Sequence, residues 1–211
     1  MILLIIMIRE IISNDYLTLI LFGSFFILII LKKIDPNVFD QNLRFLKKES
    51  RNNFSKNYFE IKFSEIIYNI LFVSNLSLIL TFIYINNNFE IVIYVNFFGN
   101  LIVFFLLKML LDLFTGFLFS IKKLMKKYIY LKLVFNNSLG ILILFFNFFI
   151  AYSNYDITLI FTSLTLIYFI FGYFMIFFSM KKVIYKNWFY FILYLCTLEI
   201  IPYYYLISNI L

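Results

Sequence analysis

The 211-residue chain has no histidine, one cysteine, two prolines and five glycines. Each shortage excludes something. Without histidine, and with the lone thiol of Cys196, no zinc or haem ligand set and no internal disulfide can be assembled, so no metal and no cofactor is expected. Five glycines leave little backbone for cradling phosphates. The sequence accordingly carries no Walker loop, Gly-rich dinucleotide turn, HExxH or nucleophile elbow. Acidic residues are also scarce, 11 against 18 Lys and Arg, for a net charge of +7.

What is abundant is apolar. Hydrophobic residues make up 64% of the chain, and the mean hydropathy is +0.96. A soluble domain is closer to half apolar. The apolar residues come in long runs, which is the signature of helices crossing a bilayer. The runs predict an all-α polytopic bundle of about six spans, at 16–31, 66–85, 89–110, 133–151, 157–180 and 188–211, forming one integral membrane domain over 1–211. The segment Ile2 to Ile8 is too short to span and lacks signal-peptide features, so residues 1–12 read as a short interfacial helix. Asp15 is placed as the N-cap of span one, and Gly23-Ser24 as a close-contact site within it.

The polar segment 32–65 opens with Asp35-Pro36, an N-cap and N1 pair. Phe39, Leu43 and Leu46 follow on one helical face, giving an amphipathic helix suited to an anionic leaflet or to packing on the chain's own spans. Within the spans, Asn69, Ser74, Asn75 and Ser77, then Asn136, Asn137, Ser138, Gly140 and Asn147, then Thr158, Thr162 and Thr165, provide polar faces of the kind that bond across helices.

The charges sort by loop. Segments 32–65, 122–132 and 181–187 carry 8, 5 and 3 Lys or Arg, whereas the turns at 86–90 and 152–156 carry none. The positive-inside rule places the three basic segments in the cytoplasm and both termini on the other side. The net charge is thus a cytoplasmic fringe and implies no nucleic-acid partner. The expected location is a bacterial inner membrane, and the expected partners are the lipid bilayer and another membrane protein.

Two places put ionisable groups inside apolar runs. Glu199 lies near the middle of 188–211, where a carboxylate costs on the order of 3 kcal/mol. Pro202 beside it leaves the Leu198 carbonyl without its helical partner. Together they read as a proton, cation or polar-substrate site, or as a protonated acid that fixes packing. Lys108 and Asp112 stand at i,i+4 and can meet on one face. The apolar stretch 89–121 reads either as one long tilted helix or as a crossing followed by an interfacial helix. If the crossing ends near residue 110, Lys108 snorkels to the headgroups, which is the preferred reading. If it lies later, around 97–118, both charges are intramembrane and Lys108 becomes a partner for Glu199.

The run Tyr194-Leu195-Cys196-Thr197-Leu198-Glu199-Ile200-Ile201-Pro202 resembles the C-terminal signature of a family of multi-span bacterial membrane proteins, domain-of-unknown-function family 4271. The Asn14-Asp15 start of span one and the polar segment around Pro36 and Phe39 are similar to it as well. The family pattern has His near the position of Tyr190 and Trp at that of Tyr16, so a His–Glu relay is not carried over. The resemblance implies an inner-membrane location and no particular chemistry. Taken together, the sequence predicts a non-catalytic membrane subunit or assembly partner. The alternative is a small proton-linked carrier built on Glu199.

Overall fold

The computed structural model describes residues 2–45, 62–85, 88–119, 121–153 and 157–186. Among these residues the chain is entirely helical: α1 (Ile2–Ile34), α2 (Pro36–Leu43), α3 (Phe63–Tyr84), α4 (Ile91–Leu118), α5 (Lys122–Tyr152) and α6 (Thr158–Lys186). Five of the six helices are long and apolar enough to cross a membrane; the short α2 is the exception. The expected sixth span, with Glu199 and Pro202, lies outside the described residues.

Helix α5 is the centre, since it packs against every other described helix. Its longest seam is with α3, and the sequence of both explains why. Glu65, Tyr68, Phe72 and Asn75 of α3, and Tyr130, Asn137, Gly140, Leu144 and Asn147 of α5, recur at steps of three, four or seven, so each set lines one face. Gly140 lets the two backbones meet: a Cβ there would lie 2.8 Å from the Phe72 Cα. Asn147 Nδ2 donates to the Asn75 carbonyl at 2.8 Å and Asn137 Nδ2 to the Glu65 carbonyl at 3.3 Å. In a medium without water these cross-helix bonds and small residues do the work that hydrophobic burial does in soluble proteins.

The remaining helices attach by similar devices. Ser74 and Tyr94 hydroxyls share a 2.8 Å hydrogen bond between α3 and α4, and Ser138 and Tyr168 do the same between α5 and α6. Phe135 of α5 stacks on Tyr168 and meets Phe45 beyond α2; a Cβ at Gly172 would overlap its ring. By contrast the hydroxyls of Thr162 and Thr165 bond back to carbonyls of their own helix, so this expected polar face is satisfied locally.

Several expectations are corrected. Helix α1 runs unbroken through Asp15, which is therefore interior to a helix and not its cap. Gly23 has open space beside it, and only Ser24 of that pair is buried. On α2 the inward residues are Val38 and Asn42, while Leu43 is exposed; the helix packs on α1 and α5. Of the two readings open for 89–121, the long helix is the one observed: Ile91–Leu118 is continuous, about 42 Å long at 1.5 Å per residue. The basic stretch 122–132 is the first part of α5 rather than a loop.

At the α1–α2 corner, Asp35 does occupy the N-cap position with Pro36 behind it, but its carboxylate makes no cap bond. It accepts instead from Lys62 Nζ at 2.9 Å and Ser64 Oγ at 3.0 Å, tying the corner to the start of α3. The Lys62 hydrogen bond, helped by that of Ser64 and by the lysine's charge, outweighs partial burial and holds the Asp35 carboxyl below the usual carboxylate range.

Candidate functional site

Helix α4 turns Lys108 and Asp112 toward α5 on successive turns of one face. From α5, Lys132 reaches the same carboxylate. Lys108 Nζ lies 3.9 Å from Asp112 Oδ1, and Lys132 Nζ lies 3.8 Å from Asp112 Oδ2. Lys108 and Asp112 are each 2% exposed and Lys132 is 6% exposed. Lys108 therefore does not snorkel outward as preferred from the sequence; it points into the bundle. Lys108 stands ten residues before the end of α4 and Lys132 ten residues after the start of α5, which puts both about 15 Å from the basic end of the bundle.

The three charges border a cavity of about 70 Å³. Asn69 of α3 and Asn136 of α5 add polar walls, and Phe105, Met109, Ile129 and Leu133 complete it. The volume is several times the roughly 10–15 Å³ that one water needs. The Lys132 ammonium also lies 5.8 Å from the Tyr128 ring and 6.0 Å from the Tyr173 ring, within the range of cation–π attraction. The Thr115 hydroxyl donates to the Asp112 backbone carbonyl at 2.9 Å, within their own helix.

Such a cluster is not how a helix bundle gains stability. Removing ions from water costs several kcal/mol each, and well-packed apolar residues in their place are often as stable or more so. The arrangement can bind a small polar or charged solute, or exchange a proton, in a wet cavity walled by apolar helices.

A second buried acid lies on the α3–α5 seam. Glu65 Oε2 accepts from the Lys62 backbone N–H at 3.2 Å, closing the first turn of α3. Its Oε1 accepts from the Tyr130 hydroxyl at 3.1 Å. These bonds engage both oxygens of Glu65, so it is a brace between two helices.

Of the residues singled out in the sequence, the structure brings Lys108 and Asp112 together, whereas Glu199 and Pro202 lie outside the described residues. Lys132, Asn69, Asn136 and Glu65 were not foreseen as site residues. The signal for Lys132 was available: Ile129, Lys132, Leu133 and Asn136 form one helical stripe, which reading 122–132 as a loop concealed.

Comparison with known proteins gives one finding. The family model described as a domain of unknown function (DUF4271) matches residues 17–210. No curated protein and no solved structure gives a significant match.

Proposed function

The chain belongs to that family of proteins of unknown function, and from this premise we propose that it is a small proton-linked carrier whose binding cluster is Lys108, Asp112 and Lys132. The observation that carries the reading is the near-complete burial of these three charges around a polar-walled cavity inside candidate spans. Ionisable groups inside membrane spans are rare, and they mark solute, ion and proton pathways. Glu199 enters as the acid that exchanges the proton. Two ammonium groups and one carboxylate sum to a positive charge, and Glu199 is the one acid in the last apolar run. By the positive-inside rule the end of the bundle nearer the cluster faces the cytoplasm of a bacterial cell, with both termini on the far side.

Access to the cavity is the test. In a Cys196→Ser background, Asn136→Cys is expected to react with a small hydrophilic thiol reagent in intact membranes. Leu110→Cys, on the exposed apolar side of α4, is expected to remain unmodified. An unreactive Asn136→Cys would mean a sealed cluster and would count against a carrier.

The second reading is a subunit or assembly partner of another membrane protein, and α6 offers the surface it would use. Ile160, Ile167, Ile170, Phe174 and Phe178 form an exposed apolar stripe along α6. Lipid covers such a stripe as readily as a protein does. A stoichiometric protein that co-purifies in mild detergent would decide for the partner.

A further inference from the structure

On the opposite side of the α3–α5 seam from the charge cluster, a cavity of about 10 Å³ is lined by Tyr68, Asn75, Asn137, Gly140 and apolar residues including Leu28 of α1. Tyr68, Asn75 and Asn137 are each 1% exposed. The Tyr68 hydroxyl, Asn75 Oδ1 and Asn137 Oδ1 have no hydrogen-bond partner among the described residues. The two amide orientations are settled by their other ends: Asn75 Nδ2 donates to the Leu71 carbonyl at 2.8 Å, and Asn137 Nδ2 to the Glu65 carbonyl at 3.3 Å. The oxygen is therefore the end of each amide still to be satisfied, and both residues line the cavity.

We propose that Tyr68, Asn75 and Asn137 hold one water molecule in this cavity. The inventory closes in only one sense. Two amide oxygens accept, one hydroxyl donates, and a water that donates twice and accepts once satisfies all three. The space is about what one water requires, and three bonds is the usual number for a buried water. Three orphan polar groups in an apolar interior would each carry the full penalty of desolvation. A bare monovalent cation fits less well, because three neutral oxygens are a poor replacement for its hydration shell. Tyr68-Asn69 and Asn136-Asn137 are pairs of sequence neighbours, so the two helices divide their polar residues between this water on one side and the charged cavity on the other. The water is a fourth fastener on the seam, beside the Asn147, Asn137 and Tyr130 bonds, and its presence does not depend on the carrier reading.

Brief X-ray irradiation makes hydroxyl radicals from bound water, which label the nearest side chains, and mass spectrometry locates the label. In the detergent-purified full chain, Tyr68 is expected to be labelled despite its burial, and Phe82, equally buried on α3 but away from the cavity, is expected to stay unlabelled. An unlabelled Tyr68 beside a labelled, exposed Tyr16 would overturn the proposal. Label on both Tyr68 and Phe82 would mean that the bundle opens to solvent, and overturns it as well. Tyr68→Phe gives a second, independent sign: with a water held there it lowers the melting temperature, whereas an unbridged hydroxyl would make the same change raise it.

Discussion

Asp112→Ala is expected to destabilise the bundle by about 3–5 kcal/mol, the cost typical of leaving buried charge without its partner. Two buried lysines, Lys108 and Lys132, share this carboxylate at 3.9 and 3.8 Å. Removing it takes the shared carboxylate away from two ammonium groups that border the same buried cavity. Denaturation in mixed micelles or a thermal melt in detergent measures the loss. The companion variant separates fold from function. Lys108→Met with Asp112→Leu and Lys132→Met removes all three charges together, and it is expected to recover most of the stability, because an apolar replacement of a buried ion cluster is often neutral or stabilising. The recovered protein is nonetheless expected to be inactive. A loss below about 0.5 kcal/mol for Asp112→Ala, the range of an ordinary surface change, would show that the carboxylate is not the buried partner described here.

The second large effect is at Gly140. A Cβ there meets the Cα and backbone N of Phe72 at 2.8 and 3.2 Å, and a helix backbone cannot yield as a side-chain tip can. Gly140→Leu must push α3 away from α5. Overpacking costs about 1–3 kcal/mol, and the shift also strains the Asn137 and Asn147 cross-helix bonds, each worth roughly 0.6 kcal/mol in a membrane protein. A total of about 2–4 kcal/mol is expected from the two together. Gly23→Leu is the control. Nothing lies within 4 Å of a Cβ at Gly23, so the substitution adds apolar surface on an open side of α1 and is expected to be close to neutral. If both variants melt alike, the close approach at Gly140 is not what holds the seam.

The membrane-spanning architecture was legible in the chain because hydropathy is a sum over many residues, and no single misread position can undo it. The run that reads as a span at 66–85 is the helix Phe63–Tyr84, and the run at 157–180 lies almost wholly within the longer helix Thr158–Lys186. Asp35-Pro36 was legible for a different reason: proline fixes its own backbone, so its place at the start of α2 is local chemistry. The errors came where a local signal has two meanings. An aspartate before an apolar run reads as a cap, yet Asp15 sits inside a continuous helix. A cluster of lysines reads as a loop, yet Lys122 to Lys132 is helical, with Lys122 exposed and Lys132 turned inward to Asp112.

The site was half legible. Lys108 and Asp112 are four residues apart, and their meeting follows from the helix alone. Lys132 and Asn69 belong to other helices, and nothing in their own neighbourhoods says which face they share with α4. That pairing depends on how α3, α4 and α5 pack, and the Gly140 contact and the Ser74–Tyr94 bond help to set it. Periodicity gives each helix a buried face and leaves open what the face is buried against.

The most direct test of the account is ion flux. The purified chain is reconstituted in liposomes that contain a pH-sensitive dye, and inward gradients of chloride, acetate and phosphate are imposed in turn. The account predicts that at least one gradient drives a pH change that empty liposomes lack, and that Glu199→Gln and the triple variant without Lys108, Asp112 and Lys132 abolish it while still inserting and eluting as folded protein. A wild-type chain that moves no protons with any of the three, or a triple variant that moves them as well as wild type, would contradict it and leave the buried charges as fasteners of the bundle.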